Sequence, residues 1–435
     1  MRRLWCATIA CVIGLGLIAQ ANIAQASLED TLYEKGVFTK EEWLKAKADH
    51  EKEEAIIAER STIKKWYDKI SIRGYTQIRY SYITDDKKLA SEYDSSIGNN
   101  KGFLIRRARL VISGDITDWL SIYIQPEFAS SAGGDSNNNL VQLRDAYADI
   151  FLTSDKEWRI RGGQSKVPFG FENLQSSQNR LALDRTDAIN SAVQGERDLG
   201  FFLYYTPVET RKVFKRLVES GLKGSGDYGV LGVGVYNGQT INVSERNDDK
   251  HVVLHATYPF ELPFGQIVQV GVDAYRGVFN VACGAPVPNT GGICAAGAAP
   301  SGRNVLDERV GAHLVLYPQP FGLQAEWNWG RGPELNAAQT AIQEGSLQGG
   351  YVQAMYKWKD AIPYIRWQEY MGGKKHRTNT PYNVVRELEV GLEYQIAKAL
   401  ELTVAYAWMK RTDTQLAPYN IQDGQVLRTQ VQWNF

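Results

Sequence analysis

The sequence predicts an all-β protein: a 16-stranded antiparallel transmembrane β-barrel with a short charged helix ahead of it. Three observations lead there. From Ile70 to Phe435, polar and apolar residues alternate with period two in runs of about ten. The connections between these runs alternate between short and long. The chain ends in Phe435, with Trp433 two residues before it on the same strand face, as exported barrels commonly end.

Taken in order, residues 1–26 read as a secretory signal peptide. Arg2 and Arg3 supply the positive start, Leu4 to Ala19 the apolar stretch, and Ala24-Gln25-Ala26 the small residues for cleavage before Ser27. Residues 27–66 are charged and poor in glycine. Thr39 followed by Glu42 matches a capping box, which predicts a helix over about 40–60 on the periplasmic side. A short coiled coil and a solvated helix both fit its loose apolar stripe. Residues 67–435 form the barrel.

The strands are expected at 70–82, 102–115, 118–128, 140–152, 157–168, 198–206, 228–237 and 250–259, then at 265–278, 308–318, 321–331, 347–358, 361–371, 385–396, 399–411 and 424–435. In the first, Ile70, Ile72, Thr76 and Ile78 take one face and Ser71, Arg73, Gln77 and Arg79 the other. An even count suits a closed single-chain barrel. Short links at 116–117, 153–156, 260–264, 319–320, 359–360 and 397–398 alternate with long ones such as 83–101, 169–197 and 279–307. That pattern puts the short turns, and both termini, on the periplasmic side. The link 207–227 breaks it. Either strand ends are displaced there or the chain makes a periplasmic excursion, in which RKVFKRLVES would be a small helix.

Composition narrows the function. No run of about 20 apolar residues exists in the mature part, which excludes a helical membrane protein. Aromatics at 11%, with 23 Tyr and 11 Trp, suit a barrel with two interfacial girdles in contact with outer-membrane lipid. The 49 bases equal the 49 acids, and loss of residues 1–26 removes two bases and no acid, so no argument for a nucleic-acid partner arises. The five histidines lack a metal-binding motif, and His251 and His255 lie in a strand with no third ligand nearby. No Gly-x-Ser-x-Gly elbow points to an enzyme, and nothing calls for a cofactor.

Several segments resemble the phosphate-selective porins O and P. They are RRARLVISGDI (106–116), LRDAYADI (143–150), RIRGGQSKVPFGFE (159–172), LDRTDA, GERDLGF and GVGVYNGQTIN (232–242). Gly163-Gln164 followed by Lys166-Val167-Pro168-Phe169-Gly170 is the most specific piece. The resemblance covers about residues 70 to 435 and implies a homotrimer of 16-stranded barrels, each with a loop folded into its lumen. It also implies passage of small inorganic or organic anions such as phosphate.

Lumen parity places Arg107, Arg109, Arg159 and Arg161 on strands 2 and 5, where they could form one basic stripe. Loop 169–197 would carry Arg180, Arg185 and Arg197 into the constriction, with Gly170, Pro168 and Gly162-Gly163 supplying the bends. Glu127, Asp145, Asp149 and Asp273 share lumen parity, so a charge-balanced lumen also fits. The loop is mixed in charge and has no lysine, which speaks against strict phosphate specificity. A general or cation-leaning porin, and a barrel-anchored envelope-tethering or adhesion protein built on residues 27–66, are the alternatives. Cys283 and Cys294 remain after export, in a Gly/Ala/Pro-rich external connection where a disulfide is expected. Closing so short a loop stabilises by roughly 2–3 kcal/mol at most. Thiol labelling of the mature, non-reduced protein should find neither cysteine free.

Overall fold

The computed structural model describes residues 28–62, 66–84, 102–129, 141–282, 304–337, 342–413 and 420–435. The signal segment and the Cys283–Cys294 pair lie outside them. The chain divides into two compact units between Asp68 and Lys69.

The first unit is a pair of helices, α1 (Leu28–Glu34) and α2 (Lys40–Thr62). The expected capping box is formed. Glu42 N donates to Thr39 Oγ1 at 3.3 Å, and Thr39 N donates to the Glu42 carboxylate at 2.9 Å. Trp43 joins the helices by stacking on Tyr33 and donating its Nε1 to Asp30 at 2.8 Å.

The second unit is a closed antiparallel barrel of 16 strands. They are β1 (Ile70–Ile83), β2 (Gly102–Thr117), β3 (Leu120–Glu127), β4 (Gln142–Phe151), β5 (Trp158–Lys166), β6 (Arg197–Tyr205), β7 (Leu231–Tyr236) and β8 (His251–Glu261). The second half comprises β9 (Ile267–Asn280), β10 (Asn304–Leu316), β11 (Phe321–Leu335), β12 (Ile342–Tyr356), β13 (Ala361–Gly373), β14 (Tyr382–Ala397), β15 (Leu400–Asp413) and β16 (Asn420–Asn434). Each strand pairs with its sequence neighbours, and β1 closes on β16. No described helix is long and apolar enough to cross a membrane; in a barrel the strands cross, each backbone group paired sideways.

The barrel is turned inside out relative to a soluble protein. Along β8, His251, Val253 and His255 are buried while Val252 and Leu254 are exposed. Phe103, Phe201, Val272 and Val310 point outward as well. The buried apolar clusters sit inside the lumen, where Val167, Phe169 and Val193 pack on Phe202, Tyr204 and Tyr275, and Leu181 and Leu183 pack on Met355 and Tyr364.

The irregular link after β6 is an excursion at the end of the barrel that carries the short turns. It holds a helix, α3 (Val208–Glu219), and so resolves the ambiguity over 207–227. Thr210, Phe214 and Leu217, at spacings of four and three, form its buried stripe. Val208 N donates to Glu157 and Arg216 pairs with Glu261, both beside short turns. Phe214 and Leu217 pack on Ile267, Val315 and Tyr317. Beyond α3, Lys223 pairs with Glu393 of β14, so the excursion reaches across the lumen.

At the seam, Gly74 and Phe435 exchange both backbone hydrogen bonds, at 2.8 and 3.0 Å. A Cβ on Gly74 would stand 2.4 Å from the Phe435 ring and 2.5 Å from the Arg109 carbonyl oxygen. Gly74→Ala should therefore weaken the seam by about 1–3 kcal/mol. The folded band on unheated gels should convert to the unfolded form at a lower temperature than in the parent protein.

Candidate functional site

The connection 167–196, here L3, leaves β5 and crosses the lumen. It contains two short helical turns, α4 (Phe171–Leu174) and α5 (Asp187–Ala192). Its first bend is Gly170, at φ +84°, where a Cβ would meet the Glu326 carboxylate at 2.4 Å. The two ends of α4 are held electrostatically. Glu326 accepts from Glu172 N at 3.0 Å. Lys166 Nζ donates to the carbonyls of Asn173, Leu174 and Gln175 at 2.8, 3.3 and 2.6 Å.

Farther along, L3 is fastened to strands all around the wall. Glu172 accepts from Thr186 N and Oγ1, both at 2.9 Å, and from Arg366 of β13 at 2.7 Å. Asp184 pairs with Arg79 of β1 at 2.5 Å and Arg106 of β2 at 3.3 Å. Asp187 takes two bonds from Arg411 of β15, at 2.9 and 3.2 Å. Arg309 of β10 donates to Ser191 and to the Ala188 carbonyl. Burial pushes the Asp184 and Glu196 carboxyls up, but Arg79 and Arg106 beside Asp184, and Lys166, Arg197 and Arg185 beside Glu196, outweigh it and hold both well below the usual carboxylate range.

Arg107, Arg109, Arg159 and Arg161 all face the lumen and are buried. They do not form one stripe. Arg161 is level with Asp149 and Ser121, whereas Arg109 is level with Glu127, six residues along β3 and ~20 Å away at about 3.3 Å per residue. Most are also engaged. Arg161 binds Asp149 through two bonds at 2.7 and 2.8 Å. Arg159 binds Asp227, which the excursion after α3 brings in, at 2.9 Å. Arg109 binds Glu127 at 3.0 Å. Arg107 donates to Gln77 and has no carboxylate partner among the described residues.

Of the loop arginines, Arg180 donates to the Ala182 carbonyl and stands 3.9 Å from Glu196. Arg185 donates to Asn173 and lies 3.4 Å from Glu196. Arg197 opens β6 and binds both Asp145 and Glu196. Glu196 thus gathers Lys166, Arg180, Arg185 and Arg197.

Two inward arginines escape strict alternation. The β1–β2 register shifts between Gln77 and Ile78, so Arg106 is the extra residue of a bulge. The β3–β4 register shifts between Gln125 and Pro126, leaving Arg144 in the same position, 3.3 Å from Glu127. The available signal is a pair of adjacent charges, Arg106-Arg107 and Arg144-Asp145, in strands that should alternate.

The charged lining is segregated. Among the described residues, strands β1 to β6 carry seven buried bases and four buried acids; β9 to β16 carry four buried bases and seven buried acids. L3 runs between these walls. A cavity of about 330 Å³ lies on the base-rich side, lined by Arg73, Arg161, Lys166 and Arg197 with Asp145, Asp227 and three tyrosines. On the acid-rich side, the space among Asp187, Glu387, Glu389, Arg411 and Arg428 is only about 10 Å³, close to the room one water needs.

Known proteins agree with this architecture. The outer membrane channel DcaP of Acinetobacter baumannii superposes with a TM-score of 0.50 at 14% identity, over 84% of this chain and 97% of its own. The trimer form of OmpT, an outer membrane protein of Vibrio cholerae, gives 0.50 at 9% identity, over 84% and 99%. Both likenesses concern the fold. No curated protein matches the sequence. The family described as phosphate-selective porin O and P matches residues 77–283 and 288–435. The chain accordingly belongs to the phosphate-selective porin O and P family, as an outer-membrane channel built on a 16-stranded barrel.

Proposed function

We propose that the protein is a passive, water-filled diffusion channel that prefers small anions, phosphate and organic acids among them. The observation that carries this reading is the lining of the 330 Å³ cavity, where Arg73, Arg161, Lys166 and Arg197 of the base-rich wall outnumber Asp145 and Asp227. A solute in this cavity meets Arg73 and Arg161, and Arg107 and Arg109 belong to the same base-rich wall. The acids nearest the opening, Asp145 and Asp227, are already held by Arg197 and Arg159. A general porin is the second reading, favoured by the overall balance of lumen charge across the two walls.

Residues 1–26 serve export as a signal peptide, and residues 27–66 lie in the periplasm. The family resemblance and the trimer form of OmpT support a homotrimer.

In a potassium chloride gradient across planar bilayers, the reversal potential should have the sign of chloride preference and shrink as salt screens charges beyond ~8–10 Å. Replacing Arg109 and Arg161 by Ala removes two bases and leaves Glu127 and Asp149 without them. Preference should then shift toward potassium. An unchanged ratio at low salt would establish the general-porin reading instead.

A further inference from the structure

The cavity beside L3 has a composition that bulk anion passage does not require. Tyr123 and Tyr147, cross-strand partners on β3 and β4, stack with ring centres 5.1 Å apart and planes 7° from parallel. Arg161 lies over Tyr147 at 3.9 Å, and Arg73 lies over Tyr123 at 5.9 Å. Guanidinium, phenol, phenol and guanidinium follow one another from β1 to β5. Gly163, opposite Tyr147, has φ +126° and no room for a Cβ, which would stand 2.9 Å from Tyr147 Cα. Tyr228 lines the cavity from the excursion after α3.

The stack leaves specific groups for a solute. Arg161 is engaged with Asp149, Lys166 with three carbonyls, and Arg197 with Asp145. Arg73 is exposed and has no carboxylate partner among the described residues. The phenol groups of Tyr123, Tyr147 and Tyr228 make no hydrogen bond among the described residues, and each can donate one. Leu174 and Val218 supply apolar lining. One free guanidinium with a few hydroxyl donors matches a single carboxylate, bound in a bidentate manner. A phosphate dianion would call for more than one free base. Aliphatic and phenyl surface in a cavity at the small end of the usual ligand range suits a compact apolar body.

We infer that this cavity is a binding subsite for small aromatic carboxylates, with the carboxylate on Arg73 and the phenol hydroxyls and the ring against Tyr228, Leu174 and Val218. The inference rests on the anion-channel reading and narrows it. The test uses the full-length protein in planar bilayers, with benzoate, acetate and inorganic phosphate added to a chloride current. Benzoate should reduce the current at a concentration at least tenfold lower than either of the others. Arg73→Gln should raise its half-blocking concentration about tenfold, Arg73→Lys should recover part of the loss, and Tyr228→Leu should weaken benzoate more than acetate. Normal conductance in plain potassium chloride certifies that each variant is folded. Chloride preference with no selective benzoate block, or with phosphate blocking as well or better, overturns this inference and leaves the anion-channel reading intact. Potassium preference in the parent protein overturns both.

Discussion

A strand in hydrocarbon has no water for its backbone, so the ladder must close on itself. The junction of Gly74 with Phe435 is where that requirement is met, and the rest of the molecule follows from it. A closed ladder with alternating side chains sends one residue in two toward lipid and the other inward. Apolar residues take the outside, and the barrel's arginines, aspartates and glutamates concentrate within. What distinguishes this barrel from an open tube is how those inward charges meet L3.

L3 is itself polar backbone, largely buried inside the barrel, and its own amides and carbonyls need partners. The wall charges provide them. Glu326 takes an amide at one end of α4 and Lys166 takes three carbonyls at the other. Glu172 ties two parts of the loop to each other and to Arg366. A buried ion pair gives little net stability against an apolar replacement, but breaking one by removing a single partner is costly, about 3–5 kcal/mol. Such contacts specify position more than they add stability. L3 is therefore held at one depth by pairs that reach β1, β2, β13 and β15.

Alternation encodes which face a residue takes, and that much could be read from the sequence. The 16 strands, the inward course of Arg107, Arg109, Arg159 and Arg161, and the Thr39–Glu42 cap all follow from local pattern. Depth and partnership do not. Arg109 and Arg161 differ in level because register, a non-local property, sets the height of each strand against the next. Arg159 finds its acid on a segment 68 residues away, in a connection whose helix interrupts the expected short turn. Arg106 and Arg144 turn inward through bulges, each of which moves a residue out of strict alternation. The sequence therefore identifies the bases but cannot separate the engaged ones from Arg73 and Arg107.

That separation decides the electrostatics. A lumen whose two walls balance could be indifferent to the sign of a solute if bases and acids were interleaved. Here they lie on different arcs of the wall with L3 between them, so a solute beside one arc is nearer to its charges than to those of the other. An ion in the 330 Å³ cavity is within reach of Arg73 and Arg161, and the acids of β14 and β15 lie beyond the loop. Screening over ~8 Å at physiological salt weakens the far wall more than the near one. In the proposed anion channel, preference is set by the residues that line the cavity, and the net charge of the chain, which is zero, carries no information about it.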